Sequence, residues 1–228
     1  MAGAESRRER QRDAEATRAA ILDAAEEVFA EHGFHGARVD DIATRSGYNK
    51  SLIFQYFGDK LGLYTEVLRR AQRETNELRA RAFSAWLKDE AIATDACHLR
   101  ALIEASVRNA FDYLLERPHV HRILLWEMAD GWQTLAKISS QFPKEHIEWF
   151  QALFQRAQEI GLVRSSFLPL VQLSVPLQIC QSYIAYLPWF QLILPGVDLS
   201  SPAALERARG FCADLVVAGV MADRSKTT

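Results

Sequence analysis

Lys50, Ser51, Gln55 and Tyr56 are the residues whose types and spacing best suit chemistry with another molecule. On one short helix they form an outward strip, while Ile53 and Phe57, four residues apart, anchor the opposite face. The strip is rich in hydrogen-bonding groups and holds no carboxylate, which matches the base edges and phosphates of double-stranded DNA. Other reactive types do not assemble a reaction. His119 and His121 flank Val120 and point to different sides of a helix, so no metal site is expected. Cys97, Cys180 and Cys212 lie far apart, with no CxxC pair and no histidine at ligand spacing, as suits reduced, packed thiols. Glu127, next to Trp126, reads as a helix-surface or buried-pair carboxylate and not as a general base. No Ser-His-Asp set, carboxylate pair or phosphate loop stands out. The reading is therefore of a non-enzyme, with no catalytic residue, metal or cofactor.

The elements that must position the strip are helical. No alternating run with turn chemistry on both sides occurs, so the expected class is all-α. A first helix is predicted from Thr17, with Ile21, Ala25, Val28 and Phe29 on one face and Gly33 at its end. A second spans Val39 to Ser46, with Asp40 and Asp41 in the first turn, and Gly47 closes it. Asn49 caps a third, Lys50 to Phe57, and Gly58-Asp59 breaks the chain before a fourth that runs to about Leu87. Two short helices joined by a glycine turn make a helix-turn-helix, here about residues 38–57. Further helices are expected at Ala96–Glu116, Pro118–Ala129, Trp132–Gln141, from Pro143 or Lys144 to Gly161, and Ala203–Ala222, the last opened by Ser201-Pro202. The domains expected are a flexible leader at 1–14, a DNA-binding domain at 15–75 and a larger helical domain at 76–228.

Bulk properties are those of an ordinary globular chain. The 228 residues are 49% hydrophobic and 25% charged, with a formal net charge of −2. That balance speaks mildly against DNA binding, so the case for it rests on local geometry. The first residues carry Arg7, Arg8, Arg10 and Arg12, but Glu5, Glu9, Asp13 and Glu15 neutralise them, and no apolar signal core follows. Ser165 to Val197 has no charged residue at all. Pro169, Pro176, Pro188 and Pro195 leave only the stretch between Pro176 and Pro188 as uninterrupted helix, too short for a bilayer. The segment is read as a core or interface element of a cytoplasmic protein, with no membrane partner.

The run from Thr17 to Leu68 resembles the N-terminal domain of the TetR family of regulators. The resemblance is carried by the Ala-Ala and Phe of the first helix, Gly33-Phe34, Asp41-Ile42-Ala43, Gly47, and Lys50 with Phe54-Gln55-Tyr56-Phe57 and Lys60. It implies three DNA-binding helices and then a ligand-binding, dimerising helical domain. By position it assigns DNA contacts to Arg38, Lys50, Ser51, Leu52, Gln55, Tyr56 and Lys60. Three positions depart from the pattern. Arg38 stands where a Ser or Thr usually caps the second helix, Asp40 replaces a basic or polar residue, and Phe54 replaces a Tyr. Asp40 is accordingly given no base contact.

The resemblance implies a homodimer on a palindromic operator, and a repressor released by a small-molecule effector that is largely apolar. Trp126, Trp132, Phe150, Gln181, Tyr183 and Tyr186 are the candidate lining of the effector cavity. Leu205, Ala208, Cys212, Leu215, Val216 and Gly219 form a stripe on the last helix that, with the uncharged segment, is expected to pair subunits. The rival readings are a small-molecule-binding protein or helical enzyme with a non-functional front domain, and a nonspecific DNA binder.

Overall fold

The computed structural model describes residues 2–83, 92–142, 145–165 and 168–222 of the chain, and these are helical almost throughout. Ten α-helices occur among the described residues: α1 Ala2–Gly36, α2 Val39–Ser46, α3 Lys50–Phe57, α4 Lys60–Phe83, α5 Ala96–Glu116, α6 Pro118–Ala129, α7 Gln133–Ile138, α8 Glu145–Glu159, α9 Pro169–Ile193 and α10 Pro202–Val220. One isolated β-bridge, Val163 with Met221, is the extended pairing found there. Two differences from expectation concern α1 and α9. The first helix begins at Ala2 and not at Thr17, because Ala, Glu, Gln and Arg are strong helix formers and Gln11 also bonds Glu15 one turn on, at 3.3 Å. Pro176 and Pro188 lie inside α9 without ending it. Each removes one backbone hydrogen bond, but α5, α8 and α10 all pack along this helix and hold it together. The expected end of α4 near Leu87 and the start of α8 at Pro143 or Lys144 lie outside the described residues.

The chain divides into two units. The first comprises residues 1–74 and 117–142, the second 75–116 and 143–228. Residues 117–142, expected in the larger domain, thus pack with the helix-turn-helix. The core of the first unit gathers Ile21, Val28 and Phe29 of α1, Ile42 of α2, Ile53 of α3, Leu63 and Val67 of α4, Ile123 of α6 and Ile138 of α7.

Polar groups tie the same elements. The Tyr64 hydroxyl donates to Glu127 Oε1 at 2.6 Å, and Glu127 Oε2 accepts from Leu135 N at 2.9 Å, satisfying an amide of the first turn of α7. Burial and this carboxylate push the Tyr64 hydroxyl well above the usual phenol range. Buried Glu26 accepts from Arg70 at 2.6 Å and from Arg117 at 3.0 Å. Trp126 Nε1 donates to Ala30 O at 3.1 Å, and its ring covers Gly33. Gly33 adopts φ 66°, ψ 177°, a conformation essentially confined to glycine, and so breaks α1 near its end.

The second unit is built on α5, whose Leu99, Leu102, Val107, Phe111 and Leu114 face α9 and α10. Cys180 of α9 and Cys212 of α10 are buried in that core, where burial first, and then neighbouring Cys212, push the Cys180 thiol up to about 12. Ser201 Oγ accepts from Ala204 N at 3.4 Å and opens α10 as expected. The stripe expected to pair subunits is mostly turned inward: Ala208, Cys212 and Val216 lie in the unit's own core. Leu215 and Gly219 of that stripe stay exposed, as does Phe211 beside them.

Candidate nucleic-acid interface

The helix-turn-helix forms for reasons visible residue by residue. Val39 and Ile42, three apart, bury one face of α2. Gly47 takes the left-handed conformation, φ 77°, and its N–H reaches Ala43 O at 3.1 Å, which stops the helix. Asn49 is extended and its Oδ1 accepts from Leu52 N at 2.8 Å, which starts α3. Ile53 and Phe57 then bury the inner face of α3. Arg45 holds α2 to α1 through Glu31, with both terminal nitrogens bonded at 2.8 and 2.9 Å. Arg18 lies over the Phe57 ring at 5.3 Å and pairs with Glu66.

On this frame Lys50, Ser51 and Gln55 are exposed on the outer side of α3, while Leu52 and Tyr56 are half-buried. Tyr56 packs beside Phe57, ring centres 6.1 Å apart. Arg38 is exposed at the start of α2 and, as its residue type foretells, makes no side-chain cap. Phe54 is also exposed, on the same helix as the strip, where an apolar ring suits a thymine methyl. Its exposure follows from the helical period that buries Ile53 and Phe57, so the signal was present in the sequence.

Two of the expected DNA-facing cations are engaged within the protein. Lys50 Nζ lies 3.0 Å from Asp40 Oδ2. Lys60 Nζ sits 4.8 Å above the Phe34 ring and 3.4 Å from His35 O, and the desolvation there lowers its pKa from the ordinary lysine value. Neither pairing is predictable from spacing along the chain, since the partners are ten and twenty-five residues away.

The candidate effector residues fall into both units. Trp126 and Trp132 belong to the first, where Trp126 is spent on Ala30 and Gly33 and Trp132 takes a left-handed backbone, φ 62°, ahead of α7. Phe150, Gln181, Tyr183 and Tyr186 belong to the second. Tyr183 packs 5.9 Å from Phe111, Phe150 meets Trp149 edge to face, and Tyr186 is exposed beside Phe190. Gln181 is 3% exposed, and its Nε2 has no hydrogen-bond partner among the described residues. Among the described residues no group of three or more potential metal ligands occurs, and no helix is long and apolar enough to cross a membrane.

Comparison with known proteins bears on this arrangement directly. Residues 21–67, which contain all of α2 and α3, match the family model described as bacterial regulatory proteins, tetR family. Residues 100–216, half of the chain, match the model of a tetracyclin repressor-like C-terminal domain. The chain belongs to the TetR family of bacterial transcriptional regulators. It is a DNA-binding regulator, and its fold is the family's, an N-terminal helix-turn-helix domain followed by a larger helical one. Among its relatives is the HTH-type transcriptional repressor SCO4008 of Streptomyces coelicolor, 30% identical over 81% of this chain and 86% of that protein. The HTH-type transcriptional activator FasR of Mycolicibacterium smegmatis is 47% identical, over 23% of this chain and 24% of its own length. The crystal structure of SCO4942 from Streptomyces coelicolor is 27% identical, covers 90% of this chain and 98% of its own, and superposes with a TM-score of 0.58.

Proposed function

We propose that this TetR-family regulator acts as a homodimeric repressor that binds a palindromic operator and releases it when a small, largely apolar molecule binds. The observation that carries the dimer is the surface of α9. That helix has no charged residue, yet Tyr186, Trp189 and Leu192 are 55–74% exposed along it, three residues apart. Phe211 and Leu215 of α10 are exposed as well. An uncharged apolar face of this kind favours burial against a second copy, and a two-fold pair presents two α3 strips to two half-sites.

In the DNA complex Lys50, Ser51 and Gln55 are the readers of base edges, Tyr56 and Leu52 flank them, and Arg38 and Lys60 hold phosphates. The repressor sign follows the relative SCO4008, a transcriptional repressor. The effector reading rests on Gln181. A buried amide N–H without an acceptor favours a bound molecule that offers one oxygen within apolar surroundings. Release then follows from linkage, since a ligand favouring one arrangement of the α3 pair weakens DNA by the factor that DNA weakens the ligand. The chain has no reaction of its own and works in the cytoplasm, where its operator is.

The test is sedimentation with gel shift on a duplex selected by the full chain from a randomised pool. Wild type is expected as a dimer that binds two half-sites far better than one. Trp189→Asp is expected to give monomers that lose this preference. Monomeric wild type at micromolar concentration, still shifting DNA, would overturn the dimeric reading.

A further inference from the structure

Asp40 lies beside Lys50, one of the residues expected to touch DNA. Its carboxylate stands in the first turn of α2, with a side chain 70% exposed, and Lys50, 46% exposed, reaches it at 3.0 Å from the first turn of α3. Both groups therefore sit on the open side of the helix-turn-helix. Asp40 makes no backbone cap that would explain its charge: Thr44 Oγ1 bonds its carbonyl oxygen, and the carboxylate itself is turned to Lys50.

Affinity for any DNA, whatever its sequence, comes from cations that replace counterions on phosphates. At this surface that supply is restrained. Lys50 is ion-paired with Asp40, Lys60 is drawn over Phe34, and the chain as a whole carries a formal charge of −2. A phosphate offers Lys50 only an exchange of one anion for another, and brings a polyanion up to the Asp40 carboxylate. A base edge offers more. Guanine presents O6 and N7 as acceptors to a lysine, and its paired cytosine presents an N4 amino group that a carboxylate can accept. The Lys50–Asp40 pair thus carries a donor and an acceptor side by side, matched to one G·C edge, whereas a phosphate offers the carboxylate no donor.

We infer that Asp40 is a specificity-determining residue: by holding Lys50 as an ion pair it withholds that lysine from phosphates and releases it only at a matching base pair. The inference rests on the reading that Lys50 contacts DNA.

The experiment measures binding of the full-length protein to two duplexes across a salt series. One is a mixed-sequence duplex; the other is the duplex selected by the full chain from a randomised pool. Asp40→Asn is expected to bind the mixed-sequence duplex more tightly, with a salt slope steeper by about 0.9, so that its advantage shrinks about threefold between 50 and 200 mM salt. Its preference for the selected duplex over the mixed one is expected to fall. In the Lys50→Ala background the same substitution is expected to leave the slope unchanged, and Asp40→Ser is expected to reproduce the Asn result. An unchanged slope in Asp40→Asn, with Lys50→Ala still weakening binding to the selected duplex, overturns the inference while the Lys50 reading stands. An equal steepening with and without Lys50 also overturns it, because Asp40 would then act on phosphates directly. Binding to the selected duplex that is indifferent to Lys50→Ala removes the reading itself.

Discussion

Replacing Gly33 by alanine is expected to destabilise the first unit by an amount that can be worked out from its surroundings. Two separate costs meet at this position. The backbone at φ 66°, ψ 177° is one that residues with a Cβ avoid, at a cost of about 1–3 kcal/mol. The added methyl would also lie 3.0 Å from Trp126 Cδ2 and 3.2 Å from Cγ, so the indole must give way or the end of α1 must move. Crowding of that kind costs about 1–3 kcal/mol. The bond from Trp126 Nε1 to Ala30 O, 3.1 Å, is strained by the same displacement. The expected total is about 2–6 kcal/mol, a large share of the 5–15 kcal/mol typical of a domain. Urea denaturation by far-UV circular dichroism gives the total, and hydrogen exchange of the α1 and α6 amides reports the first unit by itself. A Gly33→Ala/Trp126→Ala cycle separates the two costs, because removing the indole relieves the crowding and not the backbone strain. A loss below about 0.5 kcal/mol would refute the reasoning. An equal loss with and without Trp126 would refute the part that rests on packing.

Three further outcomes are expected. Glu127→Ala strips the acceptor from the buried Tyr64 hydroxyl and from Leu135 N at once, and should cost about 2–5 kcal/mol in chemical denaturation. Acid should weaken the first unit through Glu66. Burial raises its pKa, but hydrogen bonds from Arg69 and Arg18 outweigh this and hold it below the ordinary 4.5. Its contribution is therefore complete above pH 4.5 and is lost as pH falls through the lowered value, so Glu66→Gln should flatten the acid limb of a Tm-against-pH curve. Thiol titration of the native protein at pH 8 should find Cys97 fast, and Cys180 and Cys212 reactive only after unfolding, since Cys97 is exposed and the other two are buried.

What the sequence disclosed, and what it hid, divides by the distance between partners. The limits of α2 and α3 were legible because their signals are local: Gly47 and Asn49 act within four residues of themselves. The exposed face of α3 was legible because Ile53 and Phe57 define the buried one. Pro176 and Pro188 misled because the rule that breaks helices at proline is also local, whereas α9 is held by its neighbours. Trp126 was assigned by composition to a ligand cavity, and its partners in the fold, Ala30 and Gly33, lie more than ninety residues earlier. The stripe on α10 shows a further limit. Helical period tells which residues share a face, but not whether that face meets its own chain or another, and Ala208, Cys212 and Val216 meet their own.

The first unit's second segment, residues 117–142, bears on how such a regulator can be rewired. A chimera carrying only residues 1–74 into a foreign back half would arrive without Ile123 and Ile138 of its core, without the acceptor for Tyr64, and without the Arg117 that pairs with Glu26. The reader is therefore not a contiguous cassette. Transplanting it takes both segments together, and the simpler route to a new operator is to rewrite the exposed positions of α3 where they stand.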